Sequence, residues 1–165
     1  MKVFSKILLG LLIAGFTQLV AFAADTKTNA IQVEDAWIRA SAGGQTSGAG
    51  YMVIKNTSAS PDRLLSATSA VAARVELHST ITEGGSSRMV EIKDVAIPAN
   101  GSARFSPSGN HIMFLQIKGP FKEGEKVPVT LKFERSGETT VDFLVRPTTF
   151  NSGSAAHGKS HGDMK

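Results

Sequence analysis

The chain has no cysteine among its 165 residues. That removes disulfides, thiol redox chemistry, cysteine zinc sites and the thiolate on which a blue-copper electron-transfer centre depends. Whatever fold forms must hold through its apolar core alone. Tryptophan and tyrosine are scarce, one of each against nine phenylalanines, and Trp37, Tyr51 and most of the Phe residues read as core, with Trp37, near the first strand, alternatively beside a bound metal. No stretch of ten or more residues carries apolar groups at helical spacing. Charge of one sign is lacking too: 18 Lys and Arg stand against 14 Asp and Glu. They are scattered, without the basic stripe that nucleic acid would require. No Gly-x-Ser-x-Gly elbow, His-Glu-x-x-His pair or calcium loop is present, so nothing supports an enzyme.

The one long apolar run is at the N terminus. Lys2 and Lys6 precede an apolar stretch over 7–22, broken only by Gly10, Gly15, Thr17 and Gln18 and closed by Ala21-Phe22-Ala23. This is the pattern of a secretory signal peptide over residues 1–23, cleaved after Ala23. A retained anchor is the competing reading, but the run is near the lower length for spanning a bilayer. Either way the remainder leaves the cytoplasm, with no stable membrane insertion once the signal is cut. Removing it leaves 142 residues, enough for one domain with a real core. The two lysines leave with it, so 16 basic groups face 14 acidic ones and the pI of about 9.5 overstates the basic character.

Short apolar or alternating runs recur at 31–39, 50–56, 63–67, 74–78, 88–92, 102–106, 111–117, 127–134 and 139–146. Between them stand turn formers: Gly84-Gly85, Asn100-Gly101, Ser108-Gly109-Asn110 and Ser136-Gly137. The clearest strand places Val127, Val129, Leu131 and Phe133 on one face and Pro128, Thr130, Lys132 and Glu134 on the other. Pro128 favours an edge or a strand start. Seven to nine short strands at this spacing predict an all-β fold, an antiparallel Greek-key β-sandwich over 24–147, with a closed barrel as runner-up. Residues 40–48 read as a Gly/Ser/Thr-rich loop. Residues 148–165 read as a disordered polar tail bearing His157, His161 and Met164.

Histidine and methionine carry the remaining signal. Beyond the signal segment the chain has His78, His111, His157 and His161, with Met52, Met89, Met113 and Met164. Two of each share one segment: His78, Met89, His111 and Met113. In a strand, His111 and Met113 project to one side, roughly 7 Å apart at the backbone. His78 closes another predicted strand, and Met89 follows the Gly84-Gly85 turn. Imidazole with thioether favours a soft, low-charge ion, so Cu(I) is preferred over zinc, calcium or magnesium. Each residue alone has a blander reading: Met113 and Met89 as packing residues, and the histidines as surface or satisfied core groups. Only their combination points to a metal.

This set resembles the PCu(A)C family of periplasmic copper chaperones, whose signature is a His, ten residues, a Met, twenty-one residues and His-x-Met. His78, Met89, His111 and Met113 keep those spacings. The resemblance extends to Asp35-Ala36-Trp37-Ile38-Arg39, Gly48-Ala49-Gly50-Tyr51-Met52 with Asn56, Ala72-Ala73-Arg74-Val75-Glu76-Leu77-His78, and Leu131-Lys132-Phe133-Glu134. It implies a periplasmic, cupredoxin-like sandwich without a blue-copper site. Such a protein binds one Cu(I) near its surface and donates it to an acceptor, such as a cytochrome c oxidase subunit or another copper chaperone, during assembly of oxidase copper centres. It also implies a second, Cu(II) site on the tail, for which His157, His161 and Met164 are the available donors. The chain departs from the family in residues 79–88, which carry no additional Met. An exported binding or adhesion module whose His and Met are incidental is the competing function.

Two other motifs have plainer explanations. Residues 153–160 spell a phosphate-binding loop, but too little chain follows to form the helix it must open. Asn56-Thr57-Ser58 and Asn100-Gly101-Ser102 match the glycosylation pattern, but turns account for them equally.

Overall fold

The computed structural model describes residues 30–150. Ten strands follow one another: β1 (Ile31–Arg39), β2 (Ser47–Asn56), β3 (Asp62–Thr68), β4 (Ala72–Glu83), β5 (Ser86–Glu91), β6 (Val95–Ile97), β7 (Ser102–Arg104), β8 (Asn110–Ile117), β9 (Lys126–Phe133) and β10 (Gly137–Arg146). They hydrogen-bond in the order β5-β4-β8-β2-β1-β10-β9-β3-β6, with β7 also on β2. The end strands of this path do not pair, so the structure is not a closed barrel.

The sheet doubles back on itself to make the sandwich. One apolar cluster joins Leu77, Ile112 and Phe114 of β4 and β8 to Leu64, Val129, Leu131 and Phe133 of β3 and β9. Strict alternation in β9 supplies that face, with Val127, Val129, Leu131 and Phe133 buried while Pro128 and Lys132 face out. Each fully buried Phe or Leu contributes about 1.5–3 kcal/mol. One pairing departs from the antiparallel expectation: β1 and β10 run parallel, with Trp37 opposite Leu144. A crossover of this kind leaves no sequence signature in either strand.

Gly48-Ala49-Gly50 owes its small residues to this packing. A Cβ on Gly48 would stand 2.5 Å from the Phe121 ring, and one on Gly50 3.1 Å from Phe114. Gly48→Ala is therefore expected to lower stability by about 1–3 kcal/mol through overpacking. A denaturant melt with an unshifted midpoint would show that Phe121 yields freely.

The β4–β5 hairpin has a two-residue loop, Gly84 and Gly85, at φ 58° and 81°. That is a type I′ turn, which requires positive φ at both positions. It fixes the register Glu83 opposite Ser86 and Thr80 opposite Met89. His78 consequently does not end its strand, as the sequence reading had it; β4 runs on five residues to Glu83. Residues 79–83, polar apart from Ile81, hide this continuation because they carry no apolar alternation. The three-residue β6 falls below the length at which alternation can be recognised.

Asn56 is buried and spends its side chain internally. Its Nδ2 donates to the Ser60 carbonyl at 2.8 Å, and its Oδ1 accepts from the Ser58 amide and hydroxyl. The sandwich also extends past residue 147. Phe150 packs edge-on against Trp37, ring centroids 5.0 Å apart, so residues 148–150 belong to the folded unit. The signal segment 1–23, the rest of the tail and the phosphate-loop motif lie outside the described residues.

Candidate metal centre

Strand register brings the candidate donors onto one outer face of the sheet. His78 on β4 stands directly opposite His111 on β8, and Met113 stands opposite both Glu76 on β4 and Ala49 on β2. Directly paired residues lie about 4.5–5.5 Å apart at Cα, and the two imidazole centroids are 5.8 Å apart. The side chains of Ile112, Phe114 and Leu77 point the opposite way, into the core. Met89 reaches the group from the edge strand β5. With 62% of its surface exposed it is the one large, exposed hydrophobic side chain among the described residues. Met89, His111 and Met113 line one cavity, whereas His78 meets the group through His111.

Hydrogen bonds fix which ring nitrogens are free. His111 is only 2% exposed, and its Nδ1 lies 3.1 Å from the Gly109 carbonyl. A carbonyl can only accept, so Nδ1 carries the proton and Nε2 of the neutral ring presents a lone pair. His78 Nε2 lies 2.9 Å from Glu76 Oε2, with both side chains largely buried. Nε2–H donates a hydrogen bond to the carboxylate, which leaves Nδ1 as the free nitrogen. His111 Nε2 and His78 Nδ1 are both buried and have no hydrogen-bond partner among the described residues. Burial pushes the His111 pKa below 6.5, and the charge of His78 adds to this. The Gly109 contact opposes the shift without reversing it.

Several contributors were not picked out from sequence. Glu76 shares a strand face with His78, a spacing of two that could have been noticed. Trp37 and Tyr51, read as core, are buried but stand outside the central apolar cluster. They stack on each other at 4.5 Å, and the Tyr51 ring is 6.4 Å from His111. Burial raises the Tyr51 pKa, with neighbouring Arg39 opposing. Their aromatic character gave no hint of which face they occupy. Among the described residues no three His, Cys, Asp or Glu groups converge. What the strand register gathers is two imidazoles with two thioethers. His157, His161 and Met164 fall outside the described residues.

This arrangement defines a class: a cupredoxin-like sandwich with an imidazole and thioether cluster on an outer sheet face. The family model described as "Putative lipoprotein LpqE-like" matches residues 31–145. The "Putative lipoprotein Lxx21020" of Leifsonia xyli subsp. xyli (strain CTCB07) is 34% identical over 121 residues, 73% of this chain and 72% of the relative. The copper-bound PCuAC domain from PmoF2 superposes with a TM-score of 0.62 at 28% identity, covering 72% of this chain and 93% of that domain. The solution structure of CuI-DR1885 from Deinococcus radiodurans gives 0.58 at 29% identity, covering 75% and 85%. The chain belongs to the LpqE-like family, and its sandwich is similar to PCuAC domains.

Proposed function

We propose that this protein is an exported copper carrier, not an enzyme. It holds one Cu(I) through His78 Nδ1, His111 Nε2 and the sulfurs of Met89 and Met113. It passes the ion to an acceptor such as a cytochrome c oxidase subunit or another copper chaperone. The observation that carries this reading is the pair of buried, unpartnered imidazole nitrogens on directly opposed residues beside two thioethers. In an incidental histidine, each such orphan would cost about 1–3 kcal/mol with no return, which disfavours an adhesion module with no metal.

Neutral nitrogen and thioether donors leave the centre with only the charge of the ion, and the soft sulfurs select Cu(I). Exposed Met89 on an edge strand is the ligand an acceptor could displace first, so transfer proceeds by stepwise ligand exchange. The copper-bound relatives support the cargo, and the lipoprotein relatives support export. A Cu(II) site on the tail from His157, His161 and Met164 remains part of the proposal.

The test is an anaerobic titration against a chromogenic Cu(I) chelator. One ion per chain should be withheld from the chelator by the core site; no competition would remove the carrier reading. Glu76→Ala should weaken Cu(I) binding by about tenfold to a hundredfold, the usual effect of removing a carboxylate that orients a ligating histidine. Wild-type affinity in that variant would remove Glu76 from the site.

A further inference from the structure

We propose that the cavity beside the copper ligands is a binding site for a small organic carboxylate, anchored by Arg39. The site itself rests on the cavity, and its coupling to copper rests on the function proposed above.

The cavity measures ≈ 300 Å³ and has two unlike poles. At one pole stands Arg39, which forms no ion pair among the described residues. Its Nε is buried without a partner, and the guanidinium otherwise meets the Thr148 carbonyl through Nη1, at a long 3.4 Å, and the Tyr51 hydroxyl, with no anionic acceptor. Arg39 stands opposite Arg146 in the β1–β10 register, so its cross-strand partner there is another cation. A guanidinium held this way lacks the planar, two-oxygen acceptor that its fork of donors fits.

The flanking polar groups have donors to spare. Ser41 Oγ accepts from the Phe121 amide at 2.8 Å, which leaves its own proton free. Gln45 Oε1 accepts from the Ala42 amide, which leaves the side-chain NH2. The opposite pole is Met89, Met113 and Pro107. An inorganic anion would satisfy Arg39 but leave this apolar wall unfilled, whereas a carboxylate on a short hydrocarbon body complements both.

Copper adds a second cation. Four neutral donors leave the liganded ion at +1, partly offset on the β4 side by the Glu76 carboxylate behind His78, and a single ring, Tyr51, separates it from Arg39. The Arg39 guanidinium carbon is 6.0 Å from the Tyr51 centroid, which is 6.4 Å from that of His111. An anion between two cations is attracted by both, so carboxylate and Cu(I) should each strengthen the other's binding. The carboxylate can be a free small acid or an Asp or Glu side chain of the acceptor entering as the ion leaves.

The experiment follows the Arg39 Nε–H signal by NMR in the full chain, with and without Cu(I), as propionate is added. Exposed Arg135, in the turn after β9 and away from the cavity, serves as the internal reference. A saturable shift at Arg39 and at the Gln45 side-chain amide, which lines the same cavity, is expected, about tenfold tighter with Cu(I) bound; the Gln45 shift should be lost in Arg39→Lys, and neither should be reproduced by chloride. Arg39→Lys keeps the charge and the stem over Trp37, and its near-ultraviolet dichroism checks the fold. No saturable shift, an equal response to chloride, or wild-type binding in Arg39→Lys would overturn the site. If the copper reading fails, the copper-free titration still decides the anion site. A Met- and His-bearing peptide with Asp that displaces propionate, while its Asn counterpart does not, assigns the carboxylate to an acceptor; binding of propionate alone assigns it to a free acid.

Discussion

His111→Ala is expected to weaken Cu(I) binding by at least about a hundredfold. Loss of a group that merely orients a ligand commonly costs tenfold to a hundredfold, and His111 is proposed as a ligand itself. Its Nε2 is pre-positioned: the Gly109 carbonyl holds the opposite nitrogen, and burial keeps the ring neutral below its ordinary pKa of 6.5. Met113→Leu is the cleaner companion. It removes sulfur while nearly conserving volume, so copper-free stability should change by less than about 1.5 kcal/mol while affinity falls comparably. Chelator competition reads the affinity and a thermal melt reads the stability. Wild-type affinity in both variants would show that the ion, if bound, sits elsewhere.

Acidification probes the same ligands without mutation. A proton and Cu(I) compete for each histidine lone pair, so affinity should be flat above about pH 6.5 and decline below it. The depressed pKa of His111 postpones its share of that decline. A profile flat to roughly pH 4 would exclude histidine ligation.

How much of this was legible in the sequence depended on what each residue's neighbours do. β1 was bounded correctly, and β8, β9 and β10 within two residues, because alternating burial is written directly into strands with one core face. β4 was cut short where its alternation fades into polar residues, and β6 is too short to alternate at all. Between the two histidines the sequence offered only spacing. Their direct opposition, and that of Thr80 with Met89, arises from hairpin register and the β4–β8 pairing, which no local pattern encodes. For the same reason Trp37, Tyr51 and Arg39 could not be assigned to a face. The bulge between Glu34 and Trp37, with Asp35 at φ 48°, changes which β1 residues point outward.

Asp62→Ala is expected to destabilise the fold by about 3 kcal/mol, lowering the melting temperature by roughly 10 °C, without touching copper affinity. Asp62 is buried at the start of β3 and clamps two segments. Its Oδ1 accepts the Arg63 and Arg135 amides at 2.8 and 3.0 Å. Its Oδ2 accepts the Ser136 amide at 3.1 Å and the Ser136 hydroxyl at 2.6 Å. The carboxylate thus ties β3 to the turn that joins β9 to β10, and alanine would leave three backbone donors without their acceptor. Burial alone would raise the Asp62 pKa, but the Ser136 hydroxyl and the three amides outweigh it and hold the pKa below 3.8. A depressed carboxylate pKa means that the unfolded chain binds the proton more readily. The stabilisation is therefore fully present above about pH 4 and is lost as pH falls through the lower, folded value. Asp62→Asn should flatten that acid limb of the stability curve. An unchanged limb would place the acid sensitivity elsewhere. Because Asp62 belongs to the opposite layer from His111 and Met113, a change in copper affinity in either variant would reveal a coupling between the layers that the packing does not suggest.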